Sequence, residues 1–171
     1  FWRLHRMHHA DPDFDVTTAL RFHPLEMALS MVIKLGAVAI LGPAALAVLI
    51  FEVLLNGTAM FNHGNVSLPP GLDRWLRLVV VTPDMHRVHH SIEAAEYNSN
   101  FGFNLPWWDR LFGSYRAQPA LGHDEMQIGL PNYGGSVCAN LIWMLVLPFW
   151  SLDHEPPRTA PRPQGKYHDE G

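Results

Sequence analysis

From Leu25 to Leu41 the chain runs for 17 residues with Glu26 and Lys34 as its charged positions, and after Gly42-Pro43 it runs from Ala44 to Phe61 with only Glu52 charged. A helix that is apolar on all its faces belongs in a bilayer or deep in a large core. Gly-Pro in the middle is a break, since Pro cannot continue a helix hydrogen-bond ladder. Three arrangements satisfy this pattern: one long tilted span, a membrane hairpin, or a buried hairpin inside a soluble helical protein. In a hairpin each arm is roughly 25 Å long at 1.5 Å per residue, slightly short of a hydrocarbon core of about 30 Å.

The histidines select among them. "HRMHH" places His5, His8 and His9 in the pattern HxxHH, and "HRVHH" repeats it with His86, His89 and His90, each copy with Arg in the second place. With 11 His in 171 residues, chance supplies about 0.05 such patterns per chain. Two copies point to a shared task. A single crossing would leave them on opposite faces of a bilayer, whereas a hairpin brings the second copy back to the first. The basic residues agree: Arg3, Arg6, Arg21, Arg74, Arg77 and Arg87 flank the open end, and the Gly42-Pro43 tip has none near it. By the positive-inside rule the histidine-bearing side faces the cytoplasm. The expected fold is all-α, an integral membrane helical hairpin with a cytoplasmic-side, histidine-rich helical cap.

Composition narrows the partners. The chain is 48% hydrophobic and 16% charged, richer in apolar and poorer in charged residues than an ordinary soluble protein. A net charge of −4 lacks the basic excess that phosphate recognition needs, which excludes nucleic acid as the expected partner. The single Cys138 rules out an internal disulfide and a zinc ribbon, so a metal here is held by imidazole or carboxylate. The chain begins Phe1-Trp2-Arg3 almost on top of the first HxxHH, as a fragment or processed chain would.

Elsewhere the reading is coarser. Residues 1 to 11 read as a helix ending in the turn-forming "ADPD". "LDRWLRLVVVTPDMHRVHH" has helical period until Thr82-Pro83, where Pro opens a new helix carrying His86, His89 and His90 in its first turns. "YNSNFGFNLPWWDRLFGSY" reads as more loop than helix, packing over the histidines or at the interface. Residues 136 to 152 are apolar around Pro148 and read as an interfacial or hairpin-packing segment. We expect one domain over residues 1–152 and a disordered, Pro-rich tail over 153–171.

At positions i, i+3 and i+4 three side chains share a helix face, so HxxHH aims three imidazoles into one volume. Two such helices give six nitrogen ligands, and His63 in "FNHGN", at the end of the second arm, offers a seventh. Seven exceeds what one tetrahedral ion needs, which implies a dinuclear site. Imidazole suits Zn, Cu, Fe and Ni alike, so ligand type alone does not name the metal. The remaining histidines are ordinary surface groups by this reading: His154 and His168 in the tail, His23 before Pro24 at the membrane surface, and His123. Asp11, Asp84 and Asp109 could orient imidazoles through the second ring nitrogen, yet as caps or ion-pair partners they would look the same.

"HRMHHAD", "RFHPLE", "FNHGN", "TPDMHRVHH" and "NFGFNLPWWDRLFGSY" together resemble the fatty acid hydroxylase superfamily, also called the sterol desaturase family, over about residues 1–132. The resemblance implies an integral membrane enzyme with a non-haem di-iron centre, two Fe held by histidine boxes, which uses dioxygen and two electrons to hydroxylate or desaturate a fatty acyl, sterol or carotenoid substrate. It makes His5, His8 and His9 the middle box, His86, His89 and His90 the last, and His63 an isolated ligand between them. The family's upstream pair of histidines is missing from these residues, so the chain alone is expected to be inactive. Ser67 stands where some members carry a further histidine, and with no fused haem domain the electrons are expected from a separate donor protein. The rivals are a non-catalytic membrane metal-binding or metal-transport protein, which should place ligands along the membrane depth, and a zinc hydrolase, for which HExxH is missing.

Overall fold

The computed structural model describes residues 1–131, 133 and 138–150. Among them the regular elements are helices and no strand is present; a lone antiparallel bridge joins Ser91 to Ile128. The tail expected over 153–171, and part of the 136–152 segment, lie outside the described residues.

The two apolar runs are helices, α2 over Pro24–Leu41 and α3 over Ala45–Asn62. Pro24 opens α2 at a position where its missing N–H costs nothing, and the His23 side chain caps it by accepting the Leu25 N–H. Gly42 closes it in the left-handed region at φ 60°, a conformation that glycine adopts without strain. The break at Gly42-Pro43 is therefore a turn between two antiparallel arms, as the hairpin requires. Each arm of 18 residues is about 27 Å long. Glu26 is the buried residue of α2 and Asn62 that of α3, while residues such as Ile40, Leu41, Leu46 and Val53 lie open along the arms. Core helices of a soluble protein would be covered. These arms expose apolar side chains on all sides, and both are long and apolar enough to cross a membrane. Their two mid-arm charges neutralise each other, Lys34 Nζ meeting Glu52 Oε1 at 2.7 Å and Oε2 at 2.9 Å across the hairpin, the pairing that charges at membrane depth require.

Short elements are gathered at the open end. Helix α1 (Trp2–His9) packs on a 3₁₀ turn at Leu147–Phe149, with Arg3 and the buried Arg6 donating to the Pro148 and Leu147 carbonyls. Beneath it Ala10, Leu130 and Leu147 form a small apolar core that Tyr133 and Trp143 flank. The apolar segment after Asn140, helix α8 (Leu141–Val146) with that 3₁₀ turn, thus anchors α1. A 3₁₀ helix at Val16–Leu20 follows the turn after α1, capped by Asp15, whose carboxylate accepts the Thr17 N–H at 2.7 Å.

The stretch before Thr82 departs from the helical expectation. Helix α4 (Pro70–Leu76) stops at Arg77, and turns carry the chain through Leu78 to Val80 to the non-helical Val81, whose N–H goes to the Asn104 carbonyl. Three consecutive β-branched valines disfavour a continuing helix. Helix α5 (Pro83–His89) then starts at Pro83 as expected and ends with His90 as its cap. After the single turn α6 (Ala94–Tyr97), "YNSNFGFNLPWWDRLFGSY" is a loop closed by a short helix, α7 (Trp107–Phe112).

Candidate metal centre

Helices α1 and α5 face each other across the open end of the hairpin, and the end of α3 points between them. All seven histidines singled out above meet there. They divide into two groups within which the ligand atoms lie no more than 4.8 Å apart: His8, His63, His86 and His90 in one, His5, His9 and His89 in the other. Each HxxHH motif is shared between the groups, because three imidazoles on one helix face fan too widely to serve one ion. The four-histidine group is buried throughout, whereas His5 at the edge of the other retains partial access.

Two ring states follow from hydrogen bonding. His63 Nδ1 lies 2.7 Å from the Ala59 carbonyl and His89 Nδ1 lies 2.8 Å from the Ser99 carbonyl. A carbonyl only accepts, so in both rings Nδ1 carries the proton and Nε2 presents a lone pair inward. His8 and His86 bring their Nε2 atoms to 3.0 Å from that of His63, and His9 brings its own to 3.1 Å from that of His89. Such spacings approach the roughly 3.3 Å edge of a tetrahedron with bonds of about 2.0–2.1 Å. At His5, Nδ1 lies 2.8 Å from Glu26 Oε1.

The donor set fits a cation. His90 is fully buried and neither of its nitrogens has a hydrogen-bond partner, and Nδ1 of His9 and His86 is unpartnered as well. Each such group forfeits about 1–3 kcal/mol of hydration, a penalty that metal ligation would offset for the nitrogens it takes up. Burial holds the rings neutral, the state a ligand needs. It pushes His63 and His89 down to about 4, and drives His8, His9, His86 and His90 well below the usual imidazole range, with mutual repulsion among the rings adding to the effect.

Aromatic side chains wall the cluster. Phe22 stacks on His8 at 4.5 Å, Phe14 lies 5.1 Å from His90 and 5.6 Å from His63, Phe101 lies 5.7 Å from His89, and Trp2 lies between His9 and Tyr97. The loop that follows α6 is fastened over His89 by Asn100 and Asp109. Fully buried Asn100 donates to the Met85 and Arg116 carbonyls and accepts the Arg116 N–H. Buried Asp109 accepts the N–H groups of Phe101 and Gly102 and the Ser114 hydroxyl.

The aspartates considered as imidazole partners serve elsewhere. Asp11 pairs with Arg21, Asp84 with Arg87, and Asp109 fastens the loop. The orienting acceptors are Ala59, Ser99 and Glu26, of which Glu26 had a visible signal, a carboxylate in the first turn of an otherwise apolar arm. His23 caps α2 and its Nε2 meets the Leu145 carbonyl at 3.1 Å, so it is not part of the cluster. His123 sits apart from it, half-buried near Asp84 and Arg87, and burial lowers its pKa. His154 and His168 lie outside the described residues.

A helical membrane protein whose open end gathers seven imidazoles into two metal-sized groups is the class that fold and site define. The family model for fatty acid hydroxylase matches residues 1–114, and the chain belongs to that family. It is similar to the ornithine lipid hydroxylase OlsE of Rhizobium tropici, 29% identical over 148 residues, which cover 86% of this chain and 42% of that protein. It is also similar to alkylglycerol monooxygenase, 27% identical in Homo sapiens over 68% of this chain and 31% identical in Xenopus tropicalis over 67% of it. The chain spans less than half of the first of these relatives and about a quarter of the other two. No solved structure matches.

Proposed function

We propose that this chain is the histidine-bearing part of a membrane-bound di-iron oxidoreductase that uses dioxygen to hydroxylate or desaturate a lipid-type substrate. The observation that carries the reading is the division of seven buried or half-buried imidazoles into a group of four and a group of three at the open end of an apolar hairpin. His8, His63, His86 and His90 would hold one iron, and His5, His9 and His89 the other. Bound iron supplies the reductive activation of dioxygen that attack on an unactivated C–H bond needs.

The protein's own share is positional. Ala59 and Ser99 fix two ring tautomers with Nε2 inward. Phe14, Phe22 and Phe101 exclude water, which protects a strong oxidant from side reactions. His5, the partly exposed member of the cluster, marks the three-histidine group as the accessible side. A lipid would reach it from the bilayer along the exposed arms, and Trp107, Trp108 and Trp150, all exposed, would lie at the interface. The enzymatic relatives support lipid as the substrate class. The same reading keeps residues 1–152 as one domain, places the site on the cytoplasmic face, and takes electrons from a separate donor protein. Transport is disfavoured because the arms hold an ion pair at mid-depth and no histidine.

The test is iron analysis and dioxygen uptake by purified full-length protein supplied with reductant and a lipid extract. Two irons per chain and lipid-dependent uptake are expected. Protein holding zinc alone and consuming no dioxygen would overturn the reading in favour of a non-catalytic metal protein.

A further inference from the structure

Three of the seven imidazoles have an Nδ1 acceptor within 2.8 Å, and the acceptors differ in kind. His63 and His89 use the neutral carbonyls of Ala59 and Ser99, whereas His5 uses the carboxylate of Glu26 at 2.8 Å. Glu26 stands in the first turn of α2, is 4% exposed, and its second oxygen, Oε2, is buried without a partner. A buried carboxylate with one oxygen unsatisfied is costly, and a helix-capping role does not explain why it turns toward a histidine. Asp109 also lies near the cluster, but its oxygens are taken up by Phe101, Gly102 and Ser114.

We propose that Glu26 is a positioning residue for the three-histidine group, fixing His5 with its proton on Nδ1 and supplying the countercharge for a divalent cation held there. The inference rests on the two-position reading above. Neutral imidazoles leave a dication uncompensated in a site walled largely by aromatic side chains. A carboxylate one hydrogen bond away reduces that imbalance and raises the basicity of the ring it holds. The effect is local, because His5 belongs to one group only. Occupancy of the accessible position is thus tied to α2, the first membrane arm, and occupancy of the four-histidine position is independent of it.

The experiment titrates Co(II) into the metal-free full chain in detergent micelles and follows its visible absorption. Wild-type protein should bind two ions. Glu26→Gln, which keeps size and a hydrogen-bond acceptor but removes the charge, should weaken one binding step by about 10–100-fold and leave the other unchanged. In a His90→Ala background the weakening should persist, and in a His5→Ala background it should vanish. Glu26→Gln that binds both ions as wild type does, or that weakens both steps alike, overturns the role, since a purely structural glutamate gives one of those results. Wild-type protein binding fewer than two ions refutes the two-position reading and this inference with it.

Discussion

Asn100 is where sequence, backbone and histidine cluster meet, and replacing it has a calculable cost. It lies at φ 49°, is fully buried, and makes three side-chain hydrogen bonds of 2.8–2.9 Å, to the carbonyls of Met85 and Arg116 and from the Arg116 N–H. At about 1 kcal/mol net per bond, Asn100→Ala loses about 3 kcal/mol. Alanine in the left-handed region, which asparagine tolerates, adds about 1 kcal/mol. The expected loss is therefore about 4 kcal/mol in metal-free protein, read by denaturant unfolding in mixed micelles. Asn100→Gly forfeits the same bonds without the backbone penalty, and after its greater loss of chain entropy should be more stable than the alanine variant by up to about 0.5 kcal/mol. Both variants should also weaken Co(II) binding, because Ser99, the preceding residue, holds His89 through its carbonyl. An alanine variant within about 1 kcal/mol of wild type, or a glycine variant less stable than it, would refute the account.

Gly102→Ala should destabilise by about 1–3 kcal/mol in the same assay, since an added Cβ would lie 2.8 Å from the Leu105 carbonyl oxygen and 2.9 Å from Asp109 Oδ2. Acid should destabilise the metal-free protein: His63 and His89 are depressed to about 4, so the unfolded chain takes up protons first as pH falls below about 6.5, and each buried ring costs up to about 3 kcal/mol by pH 4. Unfolding free energies measured between pH 7.5 and 4.5 should fall with acid and be flat above 7; a flat profile throughout would contradict neutral burial. Cysteine labelling at positions 21 and 74 should find both on the same face of the membrane, and opposite faces would break the hairpin.

What could be read in the sequence, and what could not, divides along a physical line. The arms were legible because hydropathy and a Gly-Pro break act locally: Gly42 needs its left-handed turn whatever surrounds it. The meeting of the two HxxHH motifs was legible because an i, i+3, i+4 pattern fixes a helix face, and a hairpin fixes which face of the bilayer that helix is on. The helix expected through Val79-Val80-Val81 failed because its period was real while β-branching and the Val81 bond to Asn104 were stronger. The division of seven rings into four and three was hidden, since it depends on how two short helices cross. Hidden too were the groups that set ring states. Two of them are main-chain carbonyls, of Ala59 and Ser99, and every residue carries one, so no side-chain pattern announces them. Glu26 did carry a signal. A charge in an apolar arm, one helical turn inside its cap, must find a partner or leave the bilayer, and the partner it found was the histidine at the accessible edge of the cluster.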